Sequence, residues 1–181
     1  MSKPMVLDQP MNSIYLISSF VIEDERGRLV KDYSHDLFSS IGVAFESAER
    51  TILYNRASVL RGMHYQKEFP QAKMIHCIDG RIWAVALNIN KNSNDYGLYY
   101  GCELTSGVSL LISGDFAVGT LSLTDSIINV DYDSKFFAEH AAGIKWDDKT
   151  INIPWPLDEL QNDIIISEKD LQLPSFSDIC E

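Results

Sequence analysis

The texture of this chain constrains its fold most: short apolar, β-branched runs are cut repeatedly by turn residues. Across its 181 residues, no segment keeps a 3.6-residue apolar period over the ~11 residues of an average helix. Ile14–Ile22 is one such run; Glu23-Asp24-Glu25-Arg26-Gly27 breaks it and Leu29-Val30 resumes it, which reads as two strands around a charged turn. Met74–Ile78, Asp79-Gly80 and Arg81–Leu87 predict a type I′ hairpin, because Gly takes positive φ cheaply between β-rich runs. Leu98–Leu104, Val108–Ile112, Ala117–Leu123 and Ser126–Tyr132 follow at short spacing. Ser34–Ser40 and Phe136–Gly143 each have room for one helical turn. Beyond Asp133, Pro154, Pro156 and Pro174 punctuate an irregular tail that holds the apolar run Ile164-Ile165-Ile166. The pattern predicts an all-β chain, a jelly roll of two antiparallel sheets with a few short helices. Residues 1–181 read as a single domain, with an extended C-terminal tail packed back on it.

Composition narrows the function. Hydrophobic residues at 45% and charged residues at 23% suit a globular core and exclude wholesale disorder. No apolar run approaches the ~18 residues of a membrane span, and no apolar leader follows Lys3, so the expectation is a cytoplasmic protein. A net charge of -11 repels nucleic acid and anionic membrane, so neither is expected as a partner. Three scattered cysteines, Cys77, Cys102 and Cys180, fit neither a disulfide framework nor a zinc site.

Chemistry concentrates in Leu60-Arg61-Gly62-Met63-His64-Tyr65-Gln66, followed by Gln71-Ala72-Lys73. Histidine is the side chain poised for proton transfer near neutral pH. Metal-binding jelly rolls usually offer two histidines at alternate positions of one strand; here Gln66 stands two residues after His64, which argues against a metal.

Further stretches extend the pattern: Asp24-Glu25-Arg26-Gly27, Gly80-Arg81-Ile82-Trp83, Gly143-Ile144-Lys145-Trp146-Asp147-Asp148, Trp155-Pro156 and Ile166-Ser167-Glu168-Lys169-Asp170. Together and in this order they resemble the nucleotide-sugar 3,5-epimerases, typified by dTDP-4-dehydrorhamnose 3,5-epimerase, over about residues 14–174. The resemblance implies a cupin jelly roll, a homodimer, no metal and no organic cofactor. It implies a nucleoside-diphosphate 4-keto-6-deoxy sugar as substrate, carried on dTDP or CDP, in deoxysugar synthesis for a bacterial surface polysaccharide such as O-antigen. In such a sugar the C4 keto group acidifies the hydrogens at C3 and C5. By resemblance His64 is the base, Asp170 orients it and Lys73 stabilises the enolate. Arg61 binds the diphosphate, as does Arg26 across the dimer interface. Gln66 joins the substrate-binding set.

The sequence also departs from the family. Val118 stands in Phe116-Ala117-Val118-Gly119 where the family carries His, and Ala84 stands where it carries Asp. Joint loss leaves neither polar partner buried and alone. Counting back from Gly143, the family's general-acid Tyr falls on Val130 and a second Tyr on Phe136. Tyr132 lies two residues further, on the same face of a regular strand and roughly 6.6 Å away, an acid or a pocket residue. The expectation is therefore an epimerase that inverts C3 alone. Inversion at both C3 and C5, isomerisation between adjacent carbons, and an inactive sugar-nucleotide-binding cupin stand as alternatives.

Overall fold

The structure, a computed structural model, describes residues 3–179. Four strands open the chain, β1 (Met5–Asp8), β2 (Ile14–Ser18), β3 (Phe20–Asp24) and β4 (Gly27–Lys31), before the helix α1 (His35–Ser40). Then come β5 (Glu49–Asn55), β6 (Leu60–Gln66), β7 (Lys73–Asp79), β8 (Arg81–Asn88) and β9 (Tyr99–Thr105). β10 (Val108–Ile112), β11 (Phe116–Ser122), β12 (Ser126–Tyr132) and β13 (Ala141–Gly143) complete the strands, and α2 (Glu168–Leu171) lies in the tail. A six-stranded sheet runs β1-β2-β10-β7-β12-β5, a five-stranded sheet runs β13-β6-β11-β8-β9, and β3-β4 is a separate hairpin. All these ladders are antiparallel. The two large sheets form the expected cupin jelly roll.

The apolar runs bury themselves in three places. Between the sheets, Ile14, Ile75, Leu110, Ile112 and Ile128 face Ile82, Ala86, Leu104 and Phe116. Ala84, Val118 and Val130 belong to this same cluster, so these three departures sit in apolar surroundings, whereas Phe136 is 50% exposed. On the far side of the five-stranded sheet, Leu60, Met63, Val85, Leu87, Ala117 and Leu121 meet Ile144, Trp155 and Phe176 of the tail. This sheet is therefore covered on both faces, which explains why β11 is buried at every position. Phe38, Val43 and Phe45 cover Ile17, Met74 and Leu111 on the outside of the six-stranded sheet.

Two local expectations are corrected. The Asp79-Gly80 pair does not close a hairpin: β7 lies in the six-stranded sheet and β8 in the five-stranded one. A two-residue hairpin would set these runs side by side. Instead the chain turns a corner, so that Ile75 and Cys77 face Ile82 and Ala84 across the core. Gly80 serves that corner at φ +82°, where an added Cβ would collide with the carbonyl oxygen of Asp125. Gly80→Ala is accordingly expected to cost about 3 kcal/mol in urea unfolding, against about 1 kcal/mol for an exposed hairpin turn. A loss of 1 kcal/mol or less would contradict the crowded corner. Secondly, Ile14–Ile22 is not one strand. It breaks at Ser19, whose N–H donates to the Gly107 carbonyl, and splits between β2 and the β3-β4 hairpin. The helical turn within Phe136–Gly143 is a single 3-10 turn at Ala138–His140, and β13 takes up the rest. Cys77 and Cys102 are free thiols, and Cys180 lies outside the described residues.

Candidate active site

The site grows from the middle of β6. Gly62 sits at φ +112°, and an added Cβ would stand 2.7 Å from both Gly119 Cα and the Val118 carbonyl oxygen. Only glycine lets β6 and β11 approach so closely here. The Gly62 N–H donates to Asp170 Oδ2 at 3.1 Å. Asp170 rides on α2, where its own N–H donates to the capping hydroxyl of Ser167 at 3.1 Å. The carboxylate is thus fixed from behind. Its other oxygen, Oδ1, lies 2.8 Å from Nε2 of His64. The Asp170 side chain is 6% exposed and the His64 side chain 45%, so the pair is a buried anchor beneath an open ring. An Nε2–H donated to Asp170 leaves the lone pair on Nδ1, the arrangement of an oriented general base.

His64 opens into a cleft of about 190 Å³ between the sheets, together with Gln66, Gln71, Lys73, Tyr132, Phe136 and Lys169. Lys73 begins β7 and pairs in register with Tyr132 on β12 and Ile112 on β10. Burial lowers its ammonium to about 8, partly opposed by the negative charge of Asp133. Burial raises the Tyr132 phenol, with a hydrogen bond to Thr51 pulling the other way, so the hydroxyl keeps its proton at neutral pH. A base, a cation and a phenol therefore share one small cavity. A larger groove of about 530 Å³ lies beside Tyr65 and Lys67, with neither His64 nor Lys73 on its wall. Chemistry, not size, selects the smaller cleft.

The other expected site residues lie elsewhere or are otherwise engaged. The exposed Arg61 is not on the cleft wall; its Nε and Nη2 donate to Asn55 Oδ1 at 3.0 and 2.9 Å. Arg26 sits in the β3-β4 turn, fully exposed, and pairs with Asp24, whose carboxyl it holds below the usual range. It does not line this chain's own cleft. Gln66 is on the wall, yet both ends of its amide bond the backbone of Phe69 and Phe137. Sequence reasoning gave no role to Lys169 and Gln71, although both stand inside stretches it had marked. Among the described residues, no group of three or more His, Cys, Asp or Glu side chains is placed to hold a metal ion. No helix among them is long and apolar enough to cross a membrane.

The chain is similar to known proteins over nearly its whole length. The family model described as dTDP-4-dehydrorhamnose 3,5-epimerase matches residues 8–178. A dTDP-4-dehydrorhamnose 3,5-epimerase of Methanothermobacter thermautotrophicus is 36% identical over 163 residues, 88% of each chain. The crystal structure of such an epimerase from Elizabethkingia anophelis superposes with a TM-score of 0.87 at 30% identity, covering 98% of both chains. One from Bacillus anthracis, solved with TDP and PPi bound, gives 0.88 at 28% identity, covering 96% of this chain and 99% of that one.

Proposed function

Because the chain belongs to the dTDP-4-dehydrorhamnose 3,5-epimerase family, a family of isomerases, we propose that it epimerises a dTDP-linked 4-keto-6-deoxyhexose at C3. The observation that carries this reading is the His64–Asp170 pair at 2.8 Å, opening into the cleft that Lys73 also lines. In this reading His64 removes the C3 proton. The electron pair left behind forms a C3–C4 double bond, and the carbonyl π electrons move to the C4 oxygen. The Lys73 ammonium stabilises that oxyanion, and Asp170 stabilises the imidazolium. The enolate then collapses, takes a proton at C3 from the opposite face and regenerates the ketone. Arg61 meets the diphosphate beyond the cleft wall. CDP is the alternative nucleotide.

Inversion at C3 alone is supported by Val130 and Phe136, apolar residues on which the family's two tyrosines fall when counted back from Gly143. A second reading, inversion at C3 and C5, is favoured by Tyr132, whose phenol lines the cleft in register with Lys73. Incubation with dTDP- and CDP-linked 4-keto-6-deoxyglucose, then borohydride reduction and identification of the hexose, separates the readings. Inversion at C3 only supports the first, and inversion at both carbons the second. Recovery of the starting configuration from both substrates contradicts each.

We also propose that the chain acts as a homodimer. Ile52 and Tyr54 stand 50% and 75% exposed on β5, and Leu29 stands 55% exposed on the β3-β4 hairpin. Such surface is suited to a second copy, which would bring Arg26 near the partner's cleft. Sedimentation should give twice the 20.5 kDa chain mass, and Tyr54→Asp should shift it toward monomer. A monomeric parent protein would contradict the dimer.

A further inference from the structure

We propose that Gln66 is a positioning residue whose carboxamide brackets the two loops framing the cleft mouth, so that it sets substrate affinity without touching substrate. The inference rests on the reading of the cleft as the sugar-nucleotide site. Gln66 lies two residues beyond His64 on β6 and is 5% exposed. Its Nε2–H donates to the Phe69 carbonyl at 2.8 Å, in the loop between β6 and β7. Its Oε1 accepts the Phe137 N–H at 2.6 Å, in the loop after β12. A carboxamide offers donor and acceptor at once; a carboxylate would turn a second oxygen toward the Phe69 carbonyl.

Both loops need such a grip. Phe69 sits at φ +55°, a conformation that bulky residues seldom adopt. Its ring packs on those of Phe137 and His140, with centroids 5.0 and 5.4 Å apart. The loop after β12 carries Phe136 onto the cleft wall. Two further side chains pin it: Gln71 Nε2 donates to the Ser134 carbonyl at 2.7 Å, and Glu49 Oε2 accepts the Phe136 N–H at 3.0 Å. Lys73 is independent of the bracket, because the β7 ladder holds it between β10 and β12. Loosening the loops should therefore weaken binding and spare the chemical step.

The test compares Gln66→Leu and Gln66→Glu with the parent protein by kinetics on dTDP-4-keto-6-deoxyglucose and by amide hydrogen exchange of residues 67–72 and 133–137. The expected result for Gln66→Leu is a KM raised roughly tenfold with kcat within about threefold, and faster exchange in both segments. Gln66→Glu should behave likewise at pH 7.5. As pH falls toward about 4 its carboxyl takes up a proton and again offers donor and acceptor, and its exchange relative to the parent should recover. Unchanged exchange in both variants, or a fall in kcat with KM unmoved, would overturn the bracket. Should Gln66→Leu fail to fold, the pH dependence of Gln66→Glu decides. A parent protein that turns over no substrate defeats the functional reading, while the exchange comparison still decides the role of Gln66.

Discussion

His64→Asn is expected to lower epimerisation about 10³-fold or more, with thermal unfolding within a few degrees of the parent protein. The Gly62 N–H and the Ser167 cap still hold Asp170 in place, although asparagine is too short to reach the Oδ1 that the ring meets through Nε2. Asparagine has no group that can take a proton at neutral pH. Loss of activity therefore measures the base, not the scaffold. Binding of dTDP should be nearly unchanged, because the proposed role of the ring is toward the sugar and not the nucleotide. A variant that kept more than about a tenth of the parent rate would mean that another group abstracts the proton.

The second large effect falls on Lys73. Lys73→Met keeps most of the length of the side chain and removes the charge proposed to face the C4 oxygen. Loss of one such preorganised contact lowers kcat by about 10²–10³. The parent enzyme should also lose activity as pH rises through about 8, where the buried ammonium gives up its proton. Stability moves the opposite way. The folded state holds Lys73 at about 8, below its ordinary value of 10.5. Between those pH values the unfolded chain binds more protons, so the cost of burying the charge is relieved as pH rises. Lys73→Met removes that cost, and its melting temperature at pH 7 should equal or exceed that of the parent. A rate maintained above pH 9, or a variant both active and destabilised, would contradict this role.

How much of this was legible in the sequence depended on the range of the interaction. The runs Val108–Ile112 and Ser126–Tyr132 reappear as β10 and β12 with the same boundaries, because local alternation and turn residues set them. The Asp79-Gly80 corner misled because a turn residue fixes local dihedrals, not which sheet receives the next strand. That choice was made by burial of β8 on both faces, with the C-terminal tail as the second cover. β1, β5 and β13 carry weak apolar patterns: β5 reads Glu49-Arg50-Thr51-Ile52-Leu53-Tyr54-Asn55, and only its pairing with β12 makes it a strand. The site divides in the same way. His64 and Asp170 stand 106 residues apart, and only the family resemblance joined them before the fold did. Lys169 was readable in principle, since a residue beside Asp170 on a four-residue helix is carried with it to the cleft. The engagement of Gln66 with Phe69 and Phe137 was not readable, because it depends on two loops meeting in space.

The central claim is that the His64–Asp170–Lys73 cleft exchanges a proton on a carbon beside the C4 ketone. Proton NMR of dTDP-4-keto-6-deoxyglucose with the protein in D₂O tests it most directly. The account predicts loss of the C3 proton signal as deuterium enters, no such loss with His64→Asn, and C5 exchange that is slower or absent. An unchanged spectrum with the parent protein, under conditions where dTDP binds, would contradict it.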